Sequence, residues 1–264
     1  MTRIKRLFGS RRSSVEVSEQ DGVRSLHLGG DAIQSSIRLD RPDELALEYT
    51  RAMMAFLLFL PEPRDVLMIG LGGGSMARYI HQRMPGTRTT VVEINPKVLA
   101  AARSMFQFPA SDERLQVEIA DGAEYVRENP ESADVLLVDG FDDGKQPAAL
   151  CEQAFYDACY AALRPGGVMA VNFIAEEKRL DVYLQRIERS FDERVVCLHA
   201  ADRVNMIAFG FKCQARELAW AELKKRAREL KPAHDLPLAE FVEGLRELNA
   251  HTRATLKLRS AQAD

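Results

Sequence analysis

The sequence Ile69-Gly70-Leu71-Gly72-Gly73-Gly74-Ser75 decides the fold of this chain. It follows the short apolar run Val66-Leu-Met-Ile69 and precedes a helical pattern, as expected for a strand, a turn and a helix. Glycines let the backbone turn tightly there, and they let a ligand approach the amide groups without a Cβ in the way. The same loop occurs in NAD- and FAD-binding folds, so by itself it indicates a nucleotide site and no particular cofactor.

From Asp65 onward, short apolar segments alternate with helical stretches. Continuous apolar strands in such an alternation predict a parallel sheet that is covered on both faces. Two later segments predict closing strands, the second of them antiparallel. The predicted strands are Val66–Ile69, Thr90–Val92, Gln116–Ile119, Asp134–Val138, Val168–Val171, Arg194–Leu198 and Asn205–Lys212.

The flanking segments predict three units, at residues 1–42, 43–213 and 214–264. Val15–Leu28 alternates apolar and polar residues around Asp21-Gly22, a strong hairpin signal, and Ile33–Leu39 predicts a third strand of a small antiparallel unit. A helix is expected from Pro42 to about Phe59. After residue 214 a helical tail is expected, with Trp220 and Leu223 on its apolar face and a break at Lys231–Pro237.

Two acids that follow the glycine loop narrow the class of ligand. Glu93 lies 19 residues beyond Gly74, at the end of the second predicted strand, where a carboxylate can accept both ribose hydroxyls of a nucleoside. Asp121-Gly122 follows the third strand, where an acid can hold the exocyclic amine of adenine. Together with the Leu163-Arg-Pro-Gly-Gly167 turn, this order resembles the class I adenosylmethionine-dependent transferases. The resemblance implies a Rossmann-like α/β fold of the class I methyltransferase type, with a mostly parallel seven-stranded sheet.

Four further motifs resemble the spermidine synthases, or polyamine aminopropyltransferases, over about residues 15–212. They are Gly70-Leu-Gly-Gly-Gly-Ser-Met-Ala77, Val92-Glu-Ile-Asn95, Val138-Asp-Gly-Phe-Asp142 and Phe155-Tyr-Asp-Ala-Cys-Tyr160. This family implies decarboxylated adenosylmethionine as the donor, a small-molecule amine as the acceptor, and oligomers built through the N-terminal strands.

The resemblance also assigns roles to individual residues. Asp139 takes the place of the catalytic carboxylate, and Asp142 that of an acid that holds the second cationic end of the acceptor. Glu48 is a further candidate acceptor-binding acid, as an added carboxylate that could compensate for missing contacts of the family. An alkylammonium must lose a proton before it can attack a sulfonium carbon, and a carboxylate at a strand end can orient the amine and take that proton. The predicted cofactor-binding residues are Gln34, Gly70, Gly72, Gly73, Gly74, Glu93, Ile94, Asp121 and Gly122.

The departures from the family fall on the acceptor side. Ser75 replaces an acid that pairs with the aminopropyl ammonium, Leu47 replaces a tyrosine, and Asp143 replaces a proline. Tyr49 lies two positions after Leu47, about 200° round a helix, so we expect that it does not substitute for the missing tyrosine. Asp202-Arg-Val-Asn-Met-Ile207 also lacks the family's second acceptor-binding tyrosine.

Three functions therefore remain open. The first is a spermidine-synthase-like transferase with Asp139 as orienting base. The second is a methyltransferase on the same scaffold that uses intact adenosylmethionine, whose carboxylate Arg78 is a candidate to meet. The third is a catalytically silent homologue that binds a nucleoside.

The composition and net charge of the chain limit the kinds of partner that we expect. The chain has 264 residues and a formal net charge of −3, which gives no reason to expect nucleic acid or an anionic membrane as a partner. The most apolar run, Met53–Leu60, is much shorter than the roughly 20 residues of a membrane span, and no signal-peptide pattern is visible. The four cysteines form no CxxC pair, so we expect a cytoplasmic protein without a metal. The family resemblance adds a homodimer or a higher homo-oligomer.

Overall fold

The computed structural model of the protein describes residues 5–8, 15–28, 30, 32–141 and 145–260. The helices are α1 (Glu48–Met53), α2 (Ser75–Arg83), α3 (Pro96–Met105), α4 (Gly122–Glu128), α5 (Gln153–Ala162), α6 (Leu180–Ser190), α7 (Trp220–Leu230) and α8 (Leu238–Leu248), with 3-10 turns at Met54–Leu58 and Ala148–Cys151. The strands are β1 (Lys5–Phe8), β2 (Val15–Gln20), β3 (Val23–Leu28), β4 (Ile33–Arg38), β5 (Asp65–Ile69), β6 (Arg88–Glu93), β7 (Leu115–Ile119), β8 (Ala133–Val138), β9 (Leu163–Ile174), β10 (Val195–His199), β11 (Asn205–Phe211), β12 (Glu217–Ala219), β13 (Asn249–His251) and β14 (Thr255–Ser260).

The central sheet has seven strands in the order β10-β11-β9-β8-β5-β6-β7. The pairs among β7, β6, β5, β8 and β9 are parallel, while β11 pairs antiparallel with both of its neighbours. The apolar segments from Val66 to Lys212 therefore form the predicted sheet, and the prediction that the last strand is antiparallel is confirmed.

The register of this sheet brings the ends of its strands into one row. Ile69 pairs with Val92 of β6 and with Val138 of β8, and Val138 pairs in turn with Val171 of β9. Because these strands are parallel, the residues that follow them emerge at the same edge of the sheet. That edge is where open α/β folds bind their ligands.

The N-terminal sheet has the order β1-β2-β3-β4. Asp21 and Gly22 have φ of 51° and 75°, as a tight turn with two left-handed residues requires, so the predicted hairpin is confirmed. The third predicted strand is β4, whereas β1 was not predicted. Ser35 of β4 packs against the glycine loop, with its Oγ 3.3 Å from the Ser75 Oγ.

The prediction of one helix from Pro42 to Phe59 was wrong at its start. The α-helix begins only at Glu48, because Leu47 is extended (φ −100°, ψ 138°). Two carbonyl groups of the preceding segment accept from arginine side chains instead of helix amides. Arg78 donates to the Pro42 carbonyl at 2.6 Å and Arg51 to the Leu45 carbonyl at 2.7 Å.

The C-terminal segment contains more than helices, so the prediction of a helical tail was incomplete. Helices α7 and α8 are present on either side of the predicted break, but β12, β14 and β13 form a three-stranded antiparallel sheet beside them. Leu256 and Leu258 of β14 are buried, an alternation that is typical of a strand. One hydrophobic core includes Leu26, Phe56 and Leu245, and thus draws on all three predicted units.

None of the helices in the described part of the chain is long and apolar enough to cross a bilayer.

Candidate active site

The glycine loop forms one wall of a cavity at the carboxyl edge of the central sheet. Gly70 has φ of 96°, and a Cβ on it would lie 2.3 Å from the carbonyl oxygen of Asp139, so no other residue fits there without moving the chain. Gly70 and Gly72 line the cavity. Gly73 and Gly74 do not; they face Phe106 and Phe108, and a Cβ on Gly74 would lie 2.2 Å from the Phe108 ring. Gly73 and Gly74 were predicted to contact the ligand, but in the structure they allow close packing against the two phenylalanine rings.

Glu93, which ends β6, is fixed by the backbone around it. Its two carboxylate oxygens accept hydrogen bonds from the amides of Leu71 at 3.0 Å and Asn95 at 2.8 Å. Burial raises the pKa of Glu93, and these amides, with that of Ile94, oppose the rise. Each carboxylate oxygen can accept a further bond, so Glu93 can serve a ligand with two hydroxyl groups.

Asp121 caps α4, which positions it at the cavity. Its Oδ1 accepts from the amides of Ala123 at 2.8 Å and Glu124 at 3.1 Å. These bonds leave Oδ2 available to an amine. Gly122 also lines the cavity, and a Cβ on it would lie 2.4 Å from the Ile69 Cγ2.

Apolar and amide groups complete this half of the cavity. Ile94 is 67% exposed although it is a large apolar residue, and Ile33 is 52% exposed. Both line the cavity together with Gln34. Exposed apolar side chains beside two acids suit a flat base that has polar edges.

Asp139 follows β8 and lies at the centre of the site. Burial raises its pKa to about 7, although the neighbouring side chains of Asn172 and Tyr49 favour the ionised form. The Asn172 Nδ2 donates to the Asp139 Oδ1 at 2.9 Å. A carboxyl group whose pKa lies near neutrality is suited to exchange a proton with a bound amine.

A buried chain of amides supports Asp139. The Asn205 Nδ2 donates to the Asn172 Oδ1 at 2.9 Å, and this fixes which end of the Asn172 amide faces Asp139. Asn172 and Asn205 are both buried and belong to the adjacent strands β9 and β11. The carboxylate is therefore oriented by rigid elements rather than by a loop.

The cavity has a volume of about 770 Å³. Among the described residues that line it, the charged ones are all acids: Glu93, Asp121, Asp139 and Asp202, with no lysine, arginine or histidine. The remaining lining is apolar or carries neutral polar groups. A cavity with this charge favours a cationic ligand.

Several predicted residues lie elsewhere. Glu48 does not line the cavity, because its carboxylate pairs with Arg51 at 3.0 Å, so the acceptor contact predicted for it has no support in the geometry. Ser75 is buried below β4, where its hydroxyl donates to the Ser36 carbonyl at 3.2 Å. Asp142 and Asp143 lie outside the described residues.

Arg78 is also unavailable to a ligand. Its guanidinium donates to the carbonyls of Pro42 and Phe106 at 2.6 and 2.7 Å, and the residue is 3% exposed. Arg78 is therefore neither a partner for a donor carboxylate, for which it was a candidate, nor a solvated arginine.

Tyr49, Asn172, Asn205 and Asp202 line the cavity although none was assigned to the site. Tyr49 was excluded by helical geometry, but Leu47 precedes the helix, so the 200° argument does not apply to the pair. The Tyr49 hydroxyl donates to the Gln34 carbonyl at 3.0 Å. Burial raises the pKa of Tyr49, and the nearby Asp139 carboxylate raises it further. Asn172 could have been found from its place near the carboxyl end of a central strand.

No group of three or more histidine, cysteine, aspartate or glutamate side chains converges as metal ligands would in the described parts of the chain.

The fold and the site together define a class of protein. The class I methyltransferase-like fold has a mostly parallel seven-stranded sheet, a glycine loop after β5 and acids at the ends of β6 and β7, as this chain does. The crystal structure of human methyltransferase-like protein 13 in complex with SAH matches with a TM-score of 0.65 and 28% identity, covering 79% of this chain and 96% of that one. The predicted fold class is confirmed.

The family follows from closer similarities. The spermine/spermidine synthase domain matches residues 47–195. A polyamine aminopropyltransferase from Chromobacterium violaceum is 42% identical over 242 residues, which cover 92% of this chain and 93% of the relative. A spermidine synthase in complex with the transition-state analogue AdoDATO matches with a TM-score of 0.65 and 25% identity, covering 77% of this chain and 71% of that one. This chain belongs to the spermine/spermidine synthase family, as its motifs predicted.

Proposed function

We propose that this chain is a transferase that moves the aminopropyl group of decarboxylated S-adenosylmethionine to a polyamine-type amine. The observation that carries the proposal is the charge of the cavity, where the described lining has four acids and no basic residue. Both substrates of this reaction are cations. Family membership and the name of the Chromobacterium violaceum relative support the same reaction.

The nucleoside half of the donor occupies the part of the cavity between the glycine loop and α4. Glu93 accepts the ribose hydroxyls, and the free oxygen of Asp121 accepts the adenine amine. Gln34 and Ile94 contact the nucleoside from the two sides, and Gly70 and Gly72 allow its close approach. This placement uses the Oδ2 atom of Asp121 and the second hydrogen bond that each Glu93 oxygen can accept.

Asp139 serves the transfer itself. It takes a proton from the acceptor ammonium, and the neutral nitrogen then attacks the propyl carbon bound to sulfur. The new carbon–nitrogen bond forms as the carbon–sulfur bond breaks. The electron pair of the carbon–sulfur bond stays on sulfur and neutralises the sulfonium, so methylthioadenosine leaves as a neutral thioether. Asn172 holds the carboxylate during this step.

The charge of the site also favours the decarboxylated donor over intact adenosylmethionine. The carboxylate of the intact donor would lie in a cavity lined by acids, and the guanidinium of Arg78 is already bonded elsewhere. Ser75 does not decide the choice, because its hydroxyl is buried away from the cavity. Methyl transfer remains the second candidate, supported by the similarity to methyltransferase-like protein 13.

The test offers both donors, each with 1,4-diaminobutane, and identifies the products by mass spectrometry. We expect an aminopropylated amine from the decarboxylated donor. Asp139→Asn should lower turnover by about 10²–10⁴-fold while donor affinity stays within a few-fold of the wild type, because asparagine keeps the shape but takes no proton. A methylated product would instead favour the second candidate, and unchanged turnover in Asp139→Asn would remove Asp139 from the mechanism.

We further infer that the protein acts in the cytoplasm as a homodimer or a higher oligomer that is joined through β1–β4. A small antiparallel sheet with open edges invites pairing with a symmetric copy. Light scattering at micromolar concentration measures this directly, and a monomer there would contradict the inference.

A further inference from the structure

We propose that Asp202 determines the acceptor of this enzyme by holding the far ammonium group of a diamine whose near nitrogen reacts beside Asp139. The proposal rests on the proposed function, since it concerns the amine that receives the aminopropyl group. It assigns a role to a residue of the β10–β11 turn.

Asp202 lies at the mouth of the cavity. It is exposed, lines the cavity, and its Oδ1 accepts a hydrogen bond from the Val204 amide at 3.1 Å. That bond orients the carboxylate within the turn and leaves Oδ2 free for a ligand. The position is thus open to solvent, as the entry of a charged acceptor requires.

The neighbouring arginine does not neutralise Asp202. Arg203 has φ of 59°, and its guanidinium pairs with Glu247 of α8 at 2.7 Å. No ion pair joins Asp202 to any residue in the described part of the chain. Its negative charge is therefore available to a ligand in the cavity.

Asp202 and Asp139 differ in the way that the two ends of a diamine require. Asp139 is in a buried setting that raises its pKa to about 7, and it can take a proton from the nitrogen that reacts. Asp202 is exposed and suited to a nitrogen that stays charged throughout. The side chains of Ile174 and Val204 also line the cavity, and apolar groups of this kind suit the methylene chain that joins the two nitrogens.

The sequence at this turn agrees with such a role. The segment Asp202-Arg-Val-Asn-Met-Ile207 lacks the acceptor-binding tyrosine expected of the family. A phenol offers a neutral hydrogen bond, whereas a carboxylate attracts an ammonium group by its charge. Asp202 offers such a charge at this turn.

Asp202→Asn separates charge from structure, because the asparagine Oδ1 still accepts from the Val204 amide. Steady-state kinetics compare 1,4-diaminobutane with 1-aminobutane, which has the same chain but lacks the far ammonium. We expect KM for the diamine to rise by about 3- to 30-fold with kcat little changed, and KM for the monoamine to stay constant. Asp181→Asn, at an exposed acid of α6 outside the cavity, should change neither value.

Equal effects on both amines, or no effect on either, would overturn the proposal. Asp142→Asn is assayed in parallel, and a diamine-specific rise in KM there but not in Asp202→Asn would assign the ammonium to Asp142 instead. Calorimetry of the diamine in the presence of methylthioadenosine separates this proposal from the proposed function. Even if the wild type transfers no aminopropyl group, weaker diamine binding by Asp202→Asn supports the role of Asp202, and equal binding rejects it.

Discussion

Burial gives Asp139 a pKa that suits proton transfer, and the same burial lowers the free energy of unfolding at neutral pH. The folded state raises the pKa of Asp139 to about 7 from an ordinary value near 4, so between these pH values the folded state binds more protons than the unfolded one. Stability from this group therefore falls as pH rises from about 4 to 7, and the full cost is present above pH 7.

Asp139→Asn should remove that cost, because a neutral amide has no charge to bury. We expect the variant to be more stable than the wild type at pH 8 by on the order of 1–3 kcal/mol, and the difference to disappear near pH 4. Urea unfolding at several pH values measures it.

Asp134→Asn is an informative control for this series. Backbone amides of Asp65 and Arg64 and the guanidinium of Arg164 lower the pKa of Asp134 despite partial burial. Its loss should therefore destabilise the protein at neutral pH, opposite in sign to Asp139→Asn. A stability difference that does not change with pH in Asp139→Asn would contradict the raised pKa.

The sequence predicts the identity of these residues better than their ionisation. Asp139 is predicted from its place after a strand and from its motif. Its raised pKa comes from burial by the walls of the cavity, and it is opposed by Asn172 and Tyr49, which are 33 positions after it and 90 before it. Tyr49 was excluded because the helix was predicted to begin at Pro42, which gave Leu47 and Tyr49 a helical spacing. The helix begins only at Glu48, so that spacing does not apply.

At the scale of elements, the site residues that the sequence predicts correctly are mostly those at the ends of strands. Glu93 ends β6 and Asp121 follows β7 as their apolar patterns indicated, and both line the cavity. The sequence does not indicate that backbone amides hold both carboxylates. Alanine at Glu93 would leave the amides of Leu71 and Asn95 without a partner, so such a variant would test the loop as well as the ligand.

Asp121→Asn is a cleaner test of the nucleoside site. Asparagine caps a helix as well as aspartate does, so α4 should be preserved and the melting temperature should change by no more than about 2 °C. The second position becomes an NH₂ group, which opposes the adenine amine. We expect binding of methylthioadenosine, measured by calorimetry, to weaken by about tenfold.

The 6-oxo analogue, methylthioinosine, provides the matching control for Asp121→Asn. Its carbonyl can accept from the new amide, so the variant should lose less affinity for it than for methylthioadenosine. Equal loss for both nucleosides would mean that Asp121 does not contact the base edge.

At the scale of the whole molecule, the C-terminal segment is part of the core rather than a tail. The Asn249 side chain pairs with the backbone of β10, donating to the Cys197 carbonyl and accepting from the Cys197 amide, each at 2.7 Å. Arg226 donates to the carbonyls of Leu58 and Phe59 beyond α1. The helical pattern after residue 214 could not indicate these contacts, since they join segments far apart in sequence.

Asn249→Ala should therefore lower the global stability of the protein. It leaves the amide and the carbonyl of Cys197 without a partner at a buried position, which should cost about 2–4 kcal/mol in the free energy of unfolding. Urea unfolding followed by far-UV circular dichroism and by the fluorescence of Trp220 should show one transition at a lower midpoint with both probes.

Methylthioadenosine affinity should stay at the wild-type value, since Asn249 does not line the cavity. Glu247→Gln, at an exposed ion pair of the same segment, should shift stability by less than about 1 kcal/mol. If the Trp220 signal is lost in an earlier, separate transition, the C-terminal segment unfolds by itself and its contribution to a common core is refuted.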